Sequence, residues 1–153
     1  MMDKDISDKT EIFPADLSYA SAIAEIDREC FSEPDSESTV KNLLSNENII
    51  MLVCSCGGKA VSYCSAMLVL DEVQIINVAT LPEYINKGLA YTTLRRLLES
   101  AKKRGAVLAS LEVRVSNAPA IHIYEKLGFK TCGERKNFYK KPVEDALVMV
   151  AKL

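Results

Sequence analysis

The stretch LEVRVSNAPAIHIYEKLGF (residues 111–129) carries an acid inside an apolar, strand-like run and a tyrosine on the helix predicted to follow. Both side chains, Glu112 and Tyr124, are of types that can exchange protons with a substrate. Because side chains alternate along a strand, Glu112 and Arg114 should share the face opposite the apolar residues. A buried carboxylate without a partner is costly, so Glu112 must reach a partner or a solvated cleft. Two simpler readings stay open: Glu112 pairs with Arg114 on a wet face, and Tyr124 is a core residue.

A second candidate lies where the strand IINVAT ends and the loop LPEYINKG leads into a helix. The first turn of a helix presents free backbone N–H groups and the positive end of the helix dipole, which suit a phosphate. Gly88 would let a bulky anion approach the backbone closely. The same residues also fit a helix that simply has a glycine in its first turn, so the loop alone leaves both possibilities open.

The hydrophobic pattern predicts an α/β fold: one mixed sheet of about seven strands with four helices on its two faces. The predicted order is β-α-α-β-β-β-α-β-α-β-β. The strand DEVQIINVAT is almost wholly apolar, which predicts a central strand covered on both faces. This strand, the next helix and the strand AVLASLEVRV should form a right-handed parallel crossover. Asn117 should cap the helix that carries Tyr124, and Gly128 should end it.

Composition narrows the classes of function. The 153 residues, 48% apolar and 26% charged, fit one globular domain, with residues 1–8 predicted to be a flexible N-terminus. The net charge of −2 argues against bulk binding of nucleic acid. No signal-peptide core and no bilayer-spanning run is visible, which predicts a cytoplasmic protein without a membrane partner. Five cysteines and a single histidine favour reduced thiols and no metal site.

A longer segment, IINVATLPEYINKGLAYTTLRRLLESAKKRGAVLASLEVRVSNAPAIHIYEKLGF, resembles the central motifs of the GNAT N-acetyltransferases. The block LEVRVSN…AI…YEKLGF, followed by RKNFY and EDALVMV, is similar to the RimI branch, the bacterial ribosomal-protein-alanine acetyltransferases. AEIDRECFSEP in the first predicted helix fits that branch too. The resemblance covers nearly the whole chain after the polar N-terminus. It implies the GNAT fold, acetyl-CoA as acetyl donor and a protein N-terminus as acceptor, in that branch an alanine of a small-subunit ribosomal protein.

The resemblance also implies roles for individual residues. Glu112 corresponds to the family's general base and Tyr124 to its general acid. Such a pair suits the reaction, because an α-amine with a pKa of roughly 8 must lose a proton before it attacks a thioester. The residues expected to bind acetyl-CoA are Val78, Ala79, Thr80, Asn86, Lys87, Gly88, Leu89, Ala90, Tyr91 and Asn117. The residues expected to bind the acceptor are Asp35, Asn77, Arg114 and Tyr139.

Two positions depart from the family pattern. The glycine loop usually reads Q/R-x-x-G-x-G/A, but Ile85 stands at its first position and Asn86 stands where a basic residue is common. One charge-assisted hydrogen bond is worth about 1.5–3 kcal/mol, or roughly tenfold to hundredfold in affinity, and Lys87 could compensate. In the loop that receives the acceptor, Asp35 replaces a tryptophan. The acidic SEPDSE segment would favour a basic N-terminus, or it is an ordinary solvated loop.

Two alternatives therefore stay open. The first keeps the fold and the donor but changes the acceptor to another N-terminus, a lysine or a small amine, because of Asp35. The second, prompted by Ile85, is a CoA-binding or interaction module with little or no catalysis. The presence of both Glu112 and Tyr124 favours an enzyme over that module.

Overall fold

The computed structural model describes residues 9–153, and the segment 1–8, predicted to be flexible, lies outside the described residues. The strands are β1 (Thr10–Pro14), β2 (Ile49–Cys56), β3 (Lys59–Val69), β4 (Glu72–Thr80), β5 (Leu108–Arg114), β6 (Lys130–Lys140) and β7 (Val143–Lys152). The helices are α1 (Ala20–Cys30), α2 (Glu37–Leu44), α3 (Leu89–Lys103) and α4 (Ala118–Lys126), with 3-10 turns at Leu17–Tyr19 and Pro82–Tyr84. This order of elements and the predicted fold class are confirmed.

The strands form one mixed sheet in the order β1-β2-β3-β4-β5-β7-β6, and each face carries its own core. On one face Leu94 and Leu97 of α3 are fully buried, because apolar residues at helical spacing give α3 one apolar stripe. On the other face Ile23 and Ile26 of α1 pack with Val53 of β2. The helices therefore lie on both faces of the sheet, as predicted.

Local sequence signals account for the ends of several elements. The Ser36 hydroxyl accepts a hydrogen bond from the Thr39 N–H (3.1 Å) and caps α2. The Asn117 side chain accepts from the Ala120 N–H (3.3 Å) and caps α4, as predicted. The Gly57–Gly58 pair forms the turn between β2 and β3. These contacts are local in sequence, which is why the sequence indicates them.

The strands β4 and β5 pair in parallel only at their first residues and then separate. Residues Glu72–Gln74 pair with Leu108–Ser110, whereas β4 continues to Thr80 beside β3 alone. The register between β3 and β4 shifts at Ser65 and Ala66, so Ile76 of β4 has no cross-strand partner. The carboxyl-terminal halves of β4 and β5 thus border a cleft in the middle of the sheet.

The central position of β4 is confirmed, but the prediction that it is covered on both faces is wrong. Gln74 is exposed and Ile76 is 39% exposed, although both lie in the apolar run that suggested full burial. The α1 face is covered by helix only in part, and the second half of β4 borders the cleft. An apolar strand beside a cleft has the same composition as a fully covered strand, so composition could not separate the two.

Candidate active site

The cleft between β4 and β5 widens into a cavity of about 560 Å³. Its walls come from the ends of both strands, the segment between α1 and α2, the start of α4 and the β6–β7 hairpin. Eight of the residues predicted from the sequence to act in catalysis or binding line it: Asp35, Asn77, Val78, Glu112, Arg114, Asn117, Tyr124 and Tyr139. The fold therefore brings the predicted catalytic pair and all four predicted acceptor-binding residues to one place.

The remaining predicted residues lie elsewhere. Asn86, Lys87, Gly88 and Leu89 line a second cavity of about 750 Å³ between the start of α3 and β1, together with Arg96. Ala79 is buried at 4% exposure on the α1 face. Ala90, Tyr91 and Thr80 line neither cavity; the ring of Tyr91 lies 5.2 Å from the Lys126 ammonium.

The carboxylate of Glu112 lies on the same side of β5 as Arg114, but the two do not pair. Leu111 is 2% exposed on the other side, as the alternation predicts. Glu112 forms an ion pair with Arg135 of β6 (Nε to Oε1, 3.4 Å), and its side chain is 17% exposed. Arg114 instead binds Glu144 of β7 (Nη1 to Oε1, 3.1 Å). The alternative of a Glu112–Arg114 pair is thus wrong, because partners from β6 and β7 replace the neighbour in sequence.

The ring of Tyr124 packs in the core of the α3 face and also lines the cavity. It is 8% exposed and meets the ring of Phe129 edge-on, with 5.9 Å between ring centres. Burial raises the pKa of Tyr124, which keeps its phenol protonated near neutral pH. The core reading and the functional reading of Tyr124 are therefore compatible.

The backbone of β4 faces the cleft with alternate residues. The Leu81 N–H donates to the Val61 carbonyl (2.8 Å), which sets the edge that pairs with β3. Neighbouring residues of a strand direct their N–H and C=O groups to opposite edges, so those of Ala79 face β3 and those of Val78 and Thr80 face the cleft. The Thr80 carbonyl also accepts the Cys30 thiol (3.2 Å). Val78 is the residue of this group whose backbone best fits an extended ligand in the cleft.

The loop before α3 contains two residues with left-handed backbone conformation. Gly88 has φ +79° and Asn86 has φ +61°, both in the left-handed region, which glycine adopts freely and asparagine tolerates. No side chain caps the first N–H groups of α3. The side chain of Ile85 is 52% exposed, at the position where the family pattern has Gln or Arg. The backbone donors are thus retained although the polar side chain is absent.

The hairpin between β6 and β7 is held against β5 by Arg114. Its guanidinium donates to the carbonyls of Lys141 (3.2 Å) and Pro142 (3.0 Å) and lies 4.3 Å from the centre of the Tyr139 ring. The partner of Arg114, Glu144, also accepts from the Ser116 N–H (2.8 Å), and this contact lowers the pKa of Glu144. Arg114 therefore positions one wall of the cavity.

A buried polar cluster beneath the cavity gives no signal in the sequence. The Tyr63 hydroxyl of β3 donates to Oδ1 of Asp27 on α1, and Nδ2 of Asn77 donates to the Tyr63 oxygen (3.1 Å). Asp27 has no exposed surface and Tyr63 is 1% exposed. Asp27 occupies an ordinary inward position of an amphipathic helix, so only the packing of α1 on β3 and β4 reveals it.

The described residues lack two features that would indicate other classes of function. Within 9–153, no three His, Cys, Asp or Glu side chains gather in a way that could hold a metal ion. None of the helices in this part of the chain has the length and apolar character needed to cross a membrane.

Known proteins share both the sequence pattern and the fold. A model of the Acetyltransferase (GNAT) family matches residues 20–129. A relative from Bacillus subtilis (strain 168) is 40% identical over 128 residues, 83% of this chain and 85% of its own. A ribosomal protein bS18-alanine N-acetyltransferase from Haemophilus influenzae is 35% identical over 132 residues, 84% of this chain and 89% of its own. The chain therefore belongs to the GNAT acetyltransferase family.

A solved structure agrees with this placement. The crystal structure of the ribosomal-protein-S18-alanine N-acetyltransferase from Escherichia coli superposes with a TM-score of 0.86 at 32% identity, over 94% of this chain and 93% of that one. The predicted resemblance to the RimI branch is confirmed. The protein is an acyltransferase that uses acetyl-CoA as its acetyl donor.

Proposed function

We propose that the protein acetylates the α-amine of a protein N-terminus, and that the acceptor is the N-terminal alanine of a small-subunit ribosomal protein. The observation that carries this proposal is the meeting of Glu112 and Tyr124 at the cavity between β4 and β5. The names of the Haemophilus influenzae and Escherichia coli proteins support the acceptor. Residues from α1, β4 and the β6–β7 hairpin line the cavity around Glu112, as a groove that receives a peptide end requires.

The donor fits the residues on the other side of the cleft. Acetyl-CoA supplies an acetyl thioester and carries a diphosphate. The uncapped first turn of α3 and the left-handed Gly88 suit the diphosphate. The backbone of Val78 at the open edge of β4 suits the extended arm that ends in the thioester. Asn117, the cap of α4, lines the same cavity and would contact that arm.

In the proposed mechanism Glu112 and Tyr124 move protons, and the cavity holds the amine near the thioester. Glu112, directly or through a water, takes a proton from the α-ammonium so that the nitrogen lone pair can attack. The C–N bond forms and the C–S bond breaks. Tyr124 then donates its phenolic proton to the departing thiolate, and burial keeps that proton in place until then. Much of the acceleration comes from holding the two reactants together.

The acidic lining of the cavity favours a second set of acceptors. Glu33 and Asp35 both line the cavity, and Asp35 stands where the family pattern has a tryptophan. Carboxylates at this wall suit basic residues near the acceptor amine, and they also suit a lysine side chain or a small diamine. The choice between these acceptors is therefore a question for a direct comparison of substrates.

The test is a panel of acceptors assayed by release of free CoA thiol. The panel contains the N-terminal hexapeptide of the small-subunit ribosomal protein S18 with its alanine, the same peptide blocked by N-formylation, a lysine peptide with a blocked N-terminus, and spermidine. We expect the free hexapeptide to have a kcat/KM at least tenfold above the others. Equal or greater turnover of the lysine peptide or spermidine would move the assignment to those acceptors.

A calorimetric titration with acetyl-CoA accompanies this panel. Binding in the micromolar range is expected, because the backbone donors of the α3 turn do not depend on the residue at position 85. No binding at millimolar acetyl-CoA would overturn the proposal and favour the reading of an interaction module.

A further inference from the structure

We propose that Asp27 is an additional acceptor-binding residue, whose free oxygen Oδ2 receives an N–H of the acceptor's α-amine and so aims its lone pair. This inference rests on the proposed function, since it needs an amine in the cavity. It assigns a role to a helix residue that belongs to neither the glycine loop nor the Glu112–Tyr124 block.

The first argument is that Asp27 is buried and half satisfied. Its Oδ1 accepts the Tyr63 hydroxyl, and Tyr63 is itself held by Nδ2 of Asn77 (3.1 Å). Its Oδ2 has no hydrogen-bond partner among residues 9–153. A buried carboxylate oxygen without a donor costs free energy, and such groups concentrate at functional sites. The cluster thus holds the carboxylate in one orientation and leaves one oxygen available.

The second argument is position. Asp27 has no exposed surface, yet it belongs to the wall of the cavity that contains Glu112. Asn77, at the end of the hydrogen-bond chain, lines the same wall. A ligand in this cavity is therefore the group that lies closest to the carboxylate, and it would reach Oδ2 once the lining side chains that cover Asp27 move aside.

The third argument concerns which donor fits. Of the three cationic side chains that residues 9–153 place at the cavity, Arg114 binds Glu144 and the Lys140 ammonium donates to the Asn137 carbonyl (2.9 Å). The third, Lys141, is exposed on the β6–β7 hairpin. The charged side chain that acts on Asp27 most directly is acidic, because Asp35 adds to the negative potential at its carboxylate. The backbone N–H of Asp35 approaches the Asp27 carboxylate and lowers its pKa, although by less than the Tyr63 hydroxyl does. It does not reach Oδ2 with the geometry of a hydrogen bond. An incoming cationic amine is the donor with the right charge.

The ionisation of Asp27 agrees with this role. Burial raises the pKa of Asp27 to about 6, and the hydrogen bond from Tyr63 opposes that rise only in part. The carboxylate is thus mostly ionised at pH 7.5 and able to accept, but it carries a desolvation cost that a bound ammonium would relieve.

The proposed contact also explains how the lone pair is aimed. Glu112 removes one proton from the α-ammonium, and the neutral amine keeps two N–H bonds and one lone pair. One N–H held at Asp27 Oδ2 leaves the lone pair free to form the C–N bond while the C–S bond breaks. The thiolate takes its proton from Tyr124. The nitrogen then loses a second proton to solvent, Glu112 also returns its proton to solvent, and Tyr124 takes one proton back, so one proton is released per turnover.

The test compares the wild type with Asp27→Asn on the alanine hexapeptide and on the same peptide with N-methylalanine at its first position. Asparagine keeps the size of the side chain and can still accept from Tyr63, but it removes the charge. We expect the KM for the hexapeptide to rise about tenfold to hundredfold, as for loss of one charge-assisted hydrogen bond. The Kd of acetyl-CoA, measured by calorimetry, should stay within twofold.

Methylation of the acceptor nitrogen distinguishes a direct contact between Asp27 and the amine from a purely structural role of Asp27. The methyl group leaves the neutral amine a single N–H, so a contact of that N–H with Oδ2 fixes the side of the nitrogen on which the methyl group must fit. The methyl group should therefore lower the kcat/KM of the wild type at least fivefold more than that of Asp27→Asn, in which the amine can turn. Equal losses in both enzymes, or an unchanged peptide KM in Asp27→Asn, would overturn the inference while leaving the proposed function intact. A wild type that does not acetylate the hexapeptide would overturn the proposed function and this inference with it.

Tyr63→Phe provides a second variant in case Asp27→Asn folds poorly, which a loss of acetyl-CoA binding would reveal. Phenylalanine fills the same space and leaves the charge of Asp27 in place, but the carboxylate loses its orienting donor. The expected result is a rise in peptide KM smaller than that of Asp27→Asn, with unchanged acetyl-CoA affinity. An unchanged peptide KM in a folded Tyr63→Phe enzyme would count against an oriented contact.

Discussion

The two sides of the cleft between β4 and β5 are built in different ways. The side proposed to bind the donor, called the donor side, consists of the end of β4, the turn at Gly88 and the start of α3. These elements follow one another in the chain and present backbone groups. The side proposed to bind the acceptor, called the acceptor side, consists of side chains from α1, β5 and β6. Ion pairs with β7 and buried hydrogen bonds with β3 hold them in place. Backbone groups persist when a side chain such as the one at Ile85 changes. The acceptor side depends on individual side chains, so substitutions there should alter specificity.

This contrast predicts that a substitution can impair the use of the acceptor without weakening the binding of acetyl-CoA, and the reverse. The largest loss of activity is expected at Glu112. Glu112→Gln should lower kcat/KM for the peptide about 10²–10⁴-fold, because a positioned general base contributes that much. The Kd of acetyl-CoA should not change, because no donor-side contact is altered. The measurements are steady-state thiol release and calorimetry.

A matched control for that variant is Glu125→Gln, an exposed position on α4 next to Tyr124 in the chain. It should keep wild-type activity. Full activity of Glu112→Gln at neutral pH would show that another group takes the proton.

A second effect, intermediate in size, concerns stability on the acceptor side. The pKa of Asp27 rises from 3.8 to about 6 on folding, so the folded state favours the protonated acid. Its stabilising contribution is full below pH 3.8 and is lost as pH rises through 6. Asn at this position does not titrate. The free energy of unfolding of Asp27→Asn, minus that of the wild type, should therefore be about 2–3 kcal/mol larger at pH 8 than at pH 3.5.

Chemical denaturation of both proteins at the two pH values measures this gain. The same difference in free energy at pH 3.5 and pH 8 would mean that Asp27 has an ordinary pKa in the folded protein. An exposed acid, Asp71 in the turn between β3 and β4, supplies the control substitution Asp71→Asn, for which no such gain is expected.

The smallest effect is expected at the turn on the donor side. Gly88 has φ +79°, and a side chain in this region costs about 1–2 kcal/mol. An added Cβ would meet no described atom within 4 Å, so the cost is conformational rather than steric. Gly88→Ala should lower the free energy of unfolding by that amount and weaken acetyl-CoA binding about tenfold as the turn shifts.

The comparison for Gly88→Ala is Gly133→Ala on β6, where φ is not positive and the space is also open. Gly133→Ala should leave the acetyl-CoA Kd unchanged. If Gly88→Ala raised the peptide KM but not the acetyl-CoA Kd, the division of the cleft into a donor side and an acceptor side would be wrong.

Sequence patterns predicted the helices and strands around this site better than the ion pairs between its side chains. The order of strands and helices, the Asn117 cap and the parallel pairing of β4 with β5 are confirmed. The Glu112–Arg114 alternative is wrong, because Arg135 and Glu144 from later strands take those partners. The full covering of β4 is wrong, because part of that strand is exposed and part borders a cleft. The roles of Glu112, Tyr124 and the binding residues remain predictions.

The sequence by itself determined the family, the periodicity of each element and the local caps, since these depend on side chains within a few positions of one another. Only the tertiary structure decided how far β4 and β5 separate, which cation pairs with Glu112, and that Asp27 belongs to the cavity wall with one oxygen unpaired. The physical reason is that ion pairing and burial are properties of segments that meet in space. The spacing of residues in one segment does not show which other segment will cover it.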